Sequence, residues 1–320
     1  MLAVLLVTFP FFALVLCGYV AARTGMLPHA AIPGLNAFVL YFALPCLLYR
    51  FGASTPVAQF ADPALIGIYF LCAVAMVAIP AAASVRRRGW NDAAFGALAA
   101  SFPNTGYMGV PLLVALLGDG AAGPVILTIL IDLLFTVSAC IAMSRLGSAG
   151  SHGAAIAARH ALRGVLANPM PWAIVLGAVS SAVGLRLWGP VDRTLALLAD
   201  AASPVALFTI GAVLARSQAA AASAPGSHRH ARDEVPLALA KLVLHPLLVY
   251  GAGRVAIGLG VPLSAFVLTV LTLVAALPTA SNVVVLAERF GADSGRIARI
   301  ILITTALAFL TFSGAVALLT

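Results

Sequence analysis

SFPNTGYMGVP, Ser101–Pro111, places Pro103, Gly106, Gly109 and Pro111 within eleven residues of an otherwise apolar run. Proline removes a backbone donor and clashes with the preceding turn, and glycine lowers the cost of leaving the helical conformation. This run is therefore expected to divide into two half-helices. Further along, ALPTASNVVV, Ala276–Val285, repeats the theme: Pro278 precedes Thr279, Ala280, Ser281 and Asn282, a polar pocket in apolar sequence. Backbone that leaves the helix at membrane depth is tolerated only where protein buries it or where it lines a water-filled cavity. Two such breaks mark a candidate binding site. Its candidate lining residues are Asn104, Thr105, Gly109, Pro111, Thr279, Ser281 and Asn282, with Pro103, Gly106 and Pro278 as helix breakers. The short polar side chains donate and accept hydrogen bonds, and a half-helix N-terminus supplies positive potential that favours an anion. The alternative is a pair of proline kinks whose Asn and Ser only join neighbouring helices.

The solvent around these runs is a bilayer. Only 9% of the 320 residues are charged and 62% are hydrophobic, where a soluble domain carries roughly 25% charged residues. Mean hydropathy is +1.09. The apolar residues arrive in separate runs long enough to cross a hydrocarbon core, which takes about 20 helical residues. Runs bounded by Arg, Gly, Pro and Asp predict an all-α protein of ten transmembrane helices, near 2–22, 30–50, 63–84, 93–117, 124–143, 170–185, 193–214, 235–257, 262–287 and 297–319. The net charge of +8 does not point to nucleic acid, because the arginines fall mainly between the apolar runs. The connections after odd-numbered spans hold Arg23, Arg86–Arg88, Arg145, Arg159, Arg163, Arg216, Arg229, Arg232, Arg289, Arg296 and Arg299, against Arg50, Arg186, Arg193 and Arg254 on the other face. The positive-inside rule then puts both termini outside a cytoplasmic membrane. The N-terminus is apolar from Leu2 with no basic region before it, which predicts a retained first helix rather than a cleaved signal. Cys17, Cys46, Cys72 and Cys140 lie inside apolar runs without metal-ligand spacing and read as small core residues.

The chain also resembles itself. A shift of 159 residues brings Gly18, Gly25, Pro45 and Gly52 onto Gly177, Gly184, Pro204 and Gly211; later Pro103 meets Pro278, Gly118 meets Gly291 and Gly123 meets Gly295 at slightly longer offsets. Each half then holds five spans, 1–144 and 170–320, joined by a cytoplasmic connection over 145–169. An odd number of spans per repeat forces the second copy to enter the membrane the other way up, an inverted repeat of the kind many secondary transporters use. Shared Gly and Pro through composition alone is the competing explanation. In the connection, Arg159 and Arg163 lie four apart beneath an apolar face, which fits an interfacial helix as well as a plain linker. The segment 215–234 reads as a loop without a site.

Ionisable groups inside spans narrow the mechanism only a little. Asp132 and Asp200 sit about eight residues into their spans, where a carboxylate is costly enough to be a functional candidate, and Lys241 lies about six residues into its own. All three are coupling candidates, for sodium or a proton; a snorkelling stem is the other reading of Lys241. His245 reads as a hydrogen-bonded core residue, and Glu288 and Arg289 as solvated end charges. No paired carboxylates, metal-spaced His/Cys cluster, phosphate loop or nucleophile–base arrangement appears, so neither an enzyme nor a resident metal or organic cofactor is expected. A secondary carrier is the first reading. A membrane solute sensor, which binds without passing its ligand, and an ion-coupled carrier of another solute class are the alternatives; flux in proteoliposomes separates carrier from sensor.

With LNAFVLYFALPCLLYRFG in the second span, KLVLHPLL in the eighth, and the two broken stretches, the chain resembles the auxin efflux carrier family, particularly its bacterial members, along nearly its whole length. That resemblance implies a 5+5 inverted repeat similar to sodium/proton antiporters and bile-acid sodium symporters, with spans 4 and 9 crossing where they unwind. It implies a scaffold of spans 1, 2, 6 and 7, a homodimer through spans 2 and 7, and a moving domain of spans 3–5 and 8–10. It further implies transport of a small carboxylate by alternating access. Plant members carry a proline at the ninth-span crossover where this chain has Ser281, Asn282 and Val283, and their long central loop is here about 25 residues. Auxin itself and regulation through that loop are therefore not carried over.

Overall fold

The computed structural model describes residues 2–55, 62–146, 169–222 and 231–320. Arg159, Arg163 and most of the 145–169 connection lie outside the described residues, as does 223–230. Everything described is helix, turn or short irregular backbone, as a lipid solvent demands: an α-helix satisfies its own N–H and C=O groups within one segment. The helices are α1 Leu2–Arg23 and α2 His29–Ser54, then Pro63–Ser101, which Gly89 divides into α3 (63–88) and α4 (90–101). They continue with α5 Thr105–Leu117, α6 Asp119–Ser144, α7 Pro169–Ala182, α8 Gly189–Ala222, α9 Asp233–Gly258, α10 Ala265–Ala276, α11 Val283–Arg289 and α12 Ser294–Leu319. Six of the described helices are long and apolar enough to cross a membrane, and four shorter apolar ones accompany them. The chain is a multi-pass membrane protein.

Two expectations change. The triple-arginine stretch reads as a connection between spans 3 and 4, yet helix persists on both sides of Gly89, whose φ of 75° is the only interruption. Glycine takes that left-handed value without the Cβ clash that other residues meet. The 215–234 segment, read as a loop, is helical through Ala222 and again from Ala231.

The closest backbone approaches fall at the glycines that the 159-residue shift pairs. A Cβ on Gly18 would lie 1.8 Å from the Phe208 carbonyl oxygen, and one on Gly211 would lie 1.8 Å from that of Val15 and 2.6 Å from the Tyr19 nitrogen. At Gly177 the obstacle is the Tyr49 carbonyl oxygen at 2.4 Å; at Gly52 it is that of Ile174 at 2.9 Å, with the Ala178 nitrogen at 3.3 Å. Val15 and Ile174, Tyr19 and Ala178, and Tyr49 and Phe208 are each themselves 159 apart in sequence. So α1 meets α8 through the same sequence positions by which α7 meets α2. Small residues let helix backbones approach where lipid gives no hydrophobic drive between them.

Side-chain hydrogen bonds fall mainly within two groups of helices. In the first, α1, α2, α7 and α8, Tyr19 donates to Gln218, Tyr49 to Ser180 (3.0 Å) and Ser181 to the Thr55 carbonyl (3.2 Å). The second holds α3–α6 and α9–α12. There Arg88 pairs with Asp233 and Arg299 with Glu234, each at 2.7 Å, tying the arginine-rich end of α3 and α12 to the start of α9. Contacts from one group to the other include Tyr107 to Asn36 at 3.2 Å and Thr8 to Ser313 at 3.4 Å.

Candidate solute site

Both expected breaks are present, and they pair with each other. After Ser101 the chain leaves the helix at Phe102 and resumes at Thr105; after Ala276 it leaves at Leu277 and resumes at Val283. The two extended pieces run antiparallel: Asn104 N donates to the Pro278 carbonyl (2.8 Å), and Ala280 N to the Phe102 carbonyl (3.1 Å), bridging Pro103 and Thr279. Each break thus satisfies backbone groups that the other has freed, so the break costs little buried polarity. Thr279 fixes the pairing further, donating its hydroxyl to the Ala99 carbonyl (2.7 Å), while its N–H reaches Thr304 Oγ1 (3.3 Å). Gly109 is small because a Cβ there would stand 2.6 Å from Leu277 Cδ1. Pro111 opens the regular part of α5 directly after its π-helical first turn, Thr105–Gly109. A cavity of about 400 Å³ lined by Ala78, Ala81, Val85, Arg86, Trp90 and Met143 lies elsewhere, between α3 and α6.

Asn104 and Asn282 occupy the residues immediately before α5 and α11, and neither side chain caps its helix. Asn104 Oδ1, Thr105 Oγ1 and Asn282 Oδ1 are buried with no hydrogen-bond partner. An unmatched buried polar atom costs about 1–3 kcal/mol, and these three lie where α5 and α11 begin after the two breaks. A side-chain amide carries two donors and one acceptor, and a half-turn about its last bond exchanges them, so either amide can present N–H to an anion. Ser281 and Thr279 are buried beside them, and Gly106 is open enough that a Cβ would meet nothing within 4 Å. One expectation needs refinement. α5 is thirteen residues long and begins with free N–H groups, but α11 has only seven residues, so the helix-end potential comes chiefly from the first break.

Of the coupling candidates, Asp132 and Lys241 fall in one cluster and Asp200 does not. Asp132 is buried and accepts from Tyr69 (2.9 Å) and from Thr136 (2.8 Å). Lys241 does not snorkel: it is fully buried, donates to the Ala275 carbonyl at 2.6 Å and lies 3.3 Å from His245 Nδ1. The Tyr69 and His245 rings, 6.4 Å apart, close a chain of contacts from Asp132 to Lys241. Ala275 lies in the last turn of α10, three residues before Pro278, where a cation suits the carbonyl end of a half-helix. Asp132 and Lys241 each sit in a π-helical turn, Asp132–Thr136 and Ala240–Leu244, a distortion frequent at functional sites. Asp200 is exposed on α8. His245 is buried as expected, with Nδ1 beside Lys241 but Nε2 without a partner, and Glu288 and Arg289 are exposed at the end of α11.

Sequence reading missed Arg296, counted above among the connection charges. It is 1% exposed, its Nη1 donates to the Asp92 carbonyl (3.1 Å), and Nε and Nη2 have no partner. Gly96 makes the room, since a Cβ there would stand 3.1 Å from Nη2. Tyr107, which joins the break to Asn36, was missed as well.

The sequence is similar to known membrane transporters. A protein of Rhizobium meliloti named "Putative malonate transporter" is 31% identical over 307 residues, covering 95% of this chain and 92% of the relative. An Escherichia coli K12 protein named "Uncharacterized transporter YfdV" is 25% identical over 285 residues, 88% and 86% of the two chains. An uncharacterized transporter of Methanothermobacter thermautotrophicus is 26% identical over 204 residues, 63% of this chain and 65% of its own. The family model described as "Membrane transport protein" matches residues 3–152 and 154–316. The chain therefore belongs to that family, the auxin efflux carrier family its broken helices resemble, and is a membrane transporter rather than an enzyme.

Proposed function

We propose that this protein is a secondary carrier of small carboxylates, malonate or acids of its class, working by alternating access in the cytoplasmic membrane. The observation that carries the reading is the bridged pair of breaks with unpartnered, buried Asn104, Thr105 and Asn282 oxygens between them. The relative's name adds the solute class. In this reading the chain crosses ten times, α4 with α5 and α10 with α11 each forming one broken span, in a 5+5 inverted repeat. The matched glycine contacts of α1 on α8 and α7 on α2 support that symmetry. The first hydrogen-bonded group of helices acts as scaffold, and as the dimer surface through spans 2 and 7; the second moves. Calorimetric titration tests the solute class. Malonate binds, whereas malonamide, of similar shape without charge, does not, because amides and a helix N-terminus arranged for an anion gain little from a neutral group. Equal binding of both would defeat the anion site.

Asp132 is the coupling group in this account, and the Lys241–His245–Tyr69 chain is what holds it beside the broken span. Asp132→Asn is expected to bind solute and to lose the dependence of flux on the sodium or proton gradient; gradient dependence equal to the parent's removes Asp132 from the mechanism. Orientation is tested by cysteine labelling. With the arginine-rich face in the cytoplasm, a cysteine at Gly150, which lies outside the described residues, reacts only from inside, and one at Gly189 only from outside. Reversed labelling overturns the topology.

A further inference from the structure

Just beyond each site asparagine, the first turns of α5 and α11 touch the first helix group near the start of α2. Tyr107, three residues after Asn104 and only 4% exposed, donates its hydroxyl to Asn36 Oδ1 at 3.2 Å. Asn36 lies about two turns from His29, where α2 begins. Val284, two residues after Asn282, packs both on the main core and on a smaller apolar cluster of Ala22, Ile32, Ala212, Val213 and Ala215, where α1 ends, α2 begins and α8 approaches its end. Arg23 and Arg216 mark that side as the arginine-rich one.

We propose that Tyr107 with Asn36, and Val284 with its apolar cluster, form the gate that closes the solute site toward the arginine-rich face; this rests on the carrier reading above. The chemistry suits a seal that must open in every cycle. Tyr107 and Asn36 share one neutral hydrogen bond, whose net worth corresponds to a factor of roughly 2 to 10 in an equilibrium, where a buried ion pair would be far harder to part. Val284 is only partly buried, so its release exposes one small side chain. Both residues follow the site asparagines on the same half-helices, so displacement of α5 or α11 by a solute disturbs site and gate together. Tyr107 and Asn36 are positioning residues here; the solute touches the asparagines.

The test uses the full chain with its four cysteines replaced and a single cysteine at Gly106, where a side chain meets no neighbour within 4 Å. A membrane-impermeant maleimide is applied to each face of sealed vesicles in turn, without solute. Tyr107→Phe, Asn36→Ala and Val284→Ala are each expected to speed labelling from the arginine-rich face roughly 2- to 10-fold and leave the opposite face no faster. The Tyr107→Phe/Asn36→Ala double variant should go no further than the stronger single, since both remove one bond. Unchanged labelling in all three, or an equal rise from both faces, overturns the gate. Should the cysteine-free background fail to fold, hydrogen exchange on the otherwise unaltered protein reads the same event. Tyr107→Phe should then speed exchange in 32–38 and 105–110, and identical exchange overturns the proposal. Neither readout contains a solute, so a wrong assignment of solute class appears in the malonate titration and leaves these results standing.

Discussion

Asn104→Ala and Asn282→Ala are each expected to weaken malonate binding by roughly 10- to 100-fold while the protein folds normally. A hydrogen bond to a charged group contributes about 1.5–3 kcal/mol, which sets that range. Folding should survive because neither amide oxygen has a partner and neither side chain caps its helix, so truncation removes no described bond between helices. If both amides hold one carboxylate, the double variant loses less than the sum of the singles, as residues in one network couple. Amides that served only to join helices would give the opposite result, with a lower unfolding temperature and unchanged affinity. Titration of the four proteins with malonate, beside their thermal unfolding, decides between the two.

Gly18→Ala and Gly211→Ala are expected to be the most damaging of the small substitutions, costing about 3 kcal/mol or more, because the added carbon would stand 1.8 Å from a backbone carbonyl oxygen that only a shift of a whole helix can relieve. The inverted repeat makes a sharper demand, that Gly177→Ala and Gly52→Ala hurt at the matching contact of α7 on α2. The clearances of 2.4 Å and 2.9 Å put them in that order behind the first pair. Gly251→Ala on α9, where a Cβ meets nothing within 4 Å, should be neutral or stabilising by up to about 1 kcal/mol, since alanine loses less backbone entropy in a helix. Unfolding in mild detergent ranks the five. Tolerance of alanine at both Gly18 and Gly211 would contradict the close approach of α1 to α8.

What the sequence disclosed were the features with a local cause. Pro103, Pro278 and the glycines beside Pro103 break helices through their own covalent geometry, so the breaks could be placed before any fold was known. Gly18, Gly52, Gly177 and Gly211 could be matched because close helix contact leaves no choice of residue. Features that depend on distant partners were hidden. Arg296 looks like any connection arginine until Gly96, far away in the chain, is seen to make space for its guanidinium. Arg86–Arg88 signalled a loop because charges usually lie between spans, yet helix there needs only satisfied backbone, and Arg88 finds Asp233. The π-helical turns at Thr105, Asp132 and Ala240 leave no composition signal, and they carry Thr105, Asp132 and Lys241. Asp200 and Asp132 looked alike at equal depth in their spans; only packing separated the exposed one from the one held by Tyr69 and Thr136.

Transport itself is the central claim, and uptake of labelled malonate into proteoliposomes, with and without sodium and pH gradients, tests it most directly. The account predicts flux that saturates with malonate, exceeds that of protein-free liposomes and falls when Asn104 is replaced by Ala. Tight malonate binding without any flux under all gradients would contradict it and leave a sensor in its place.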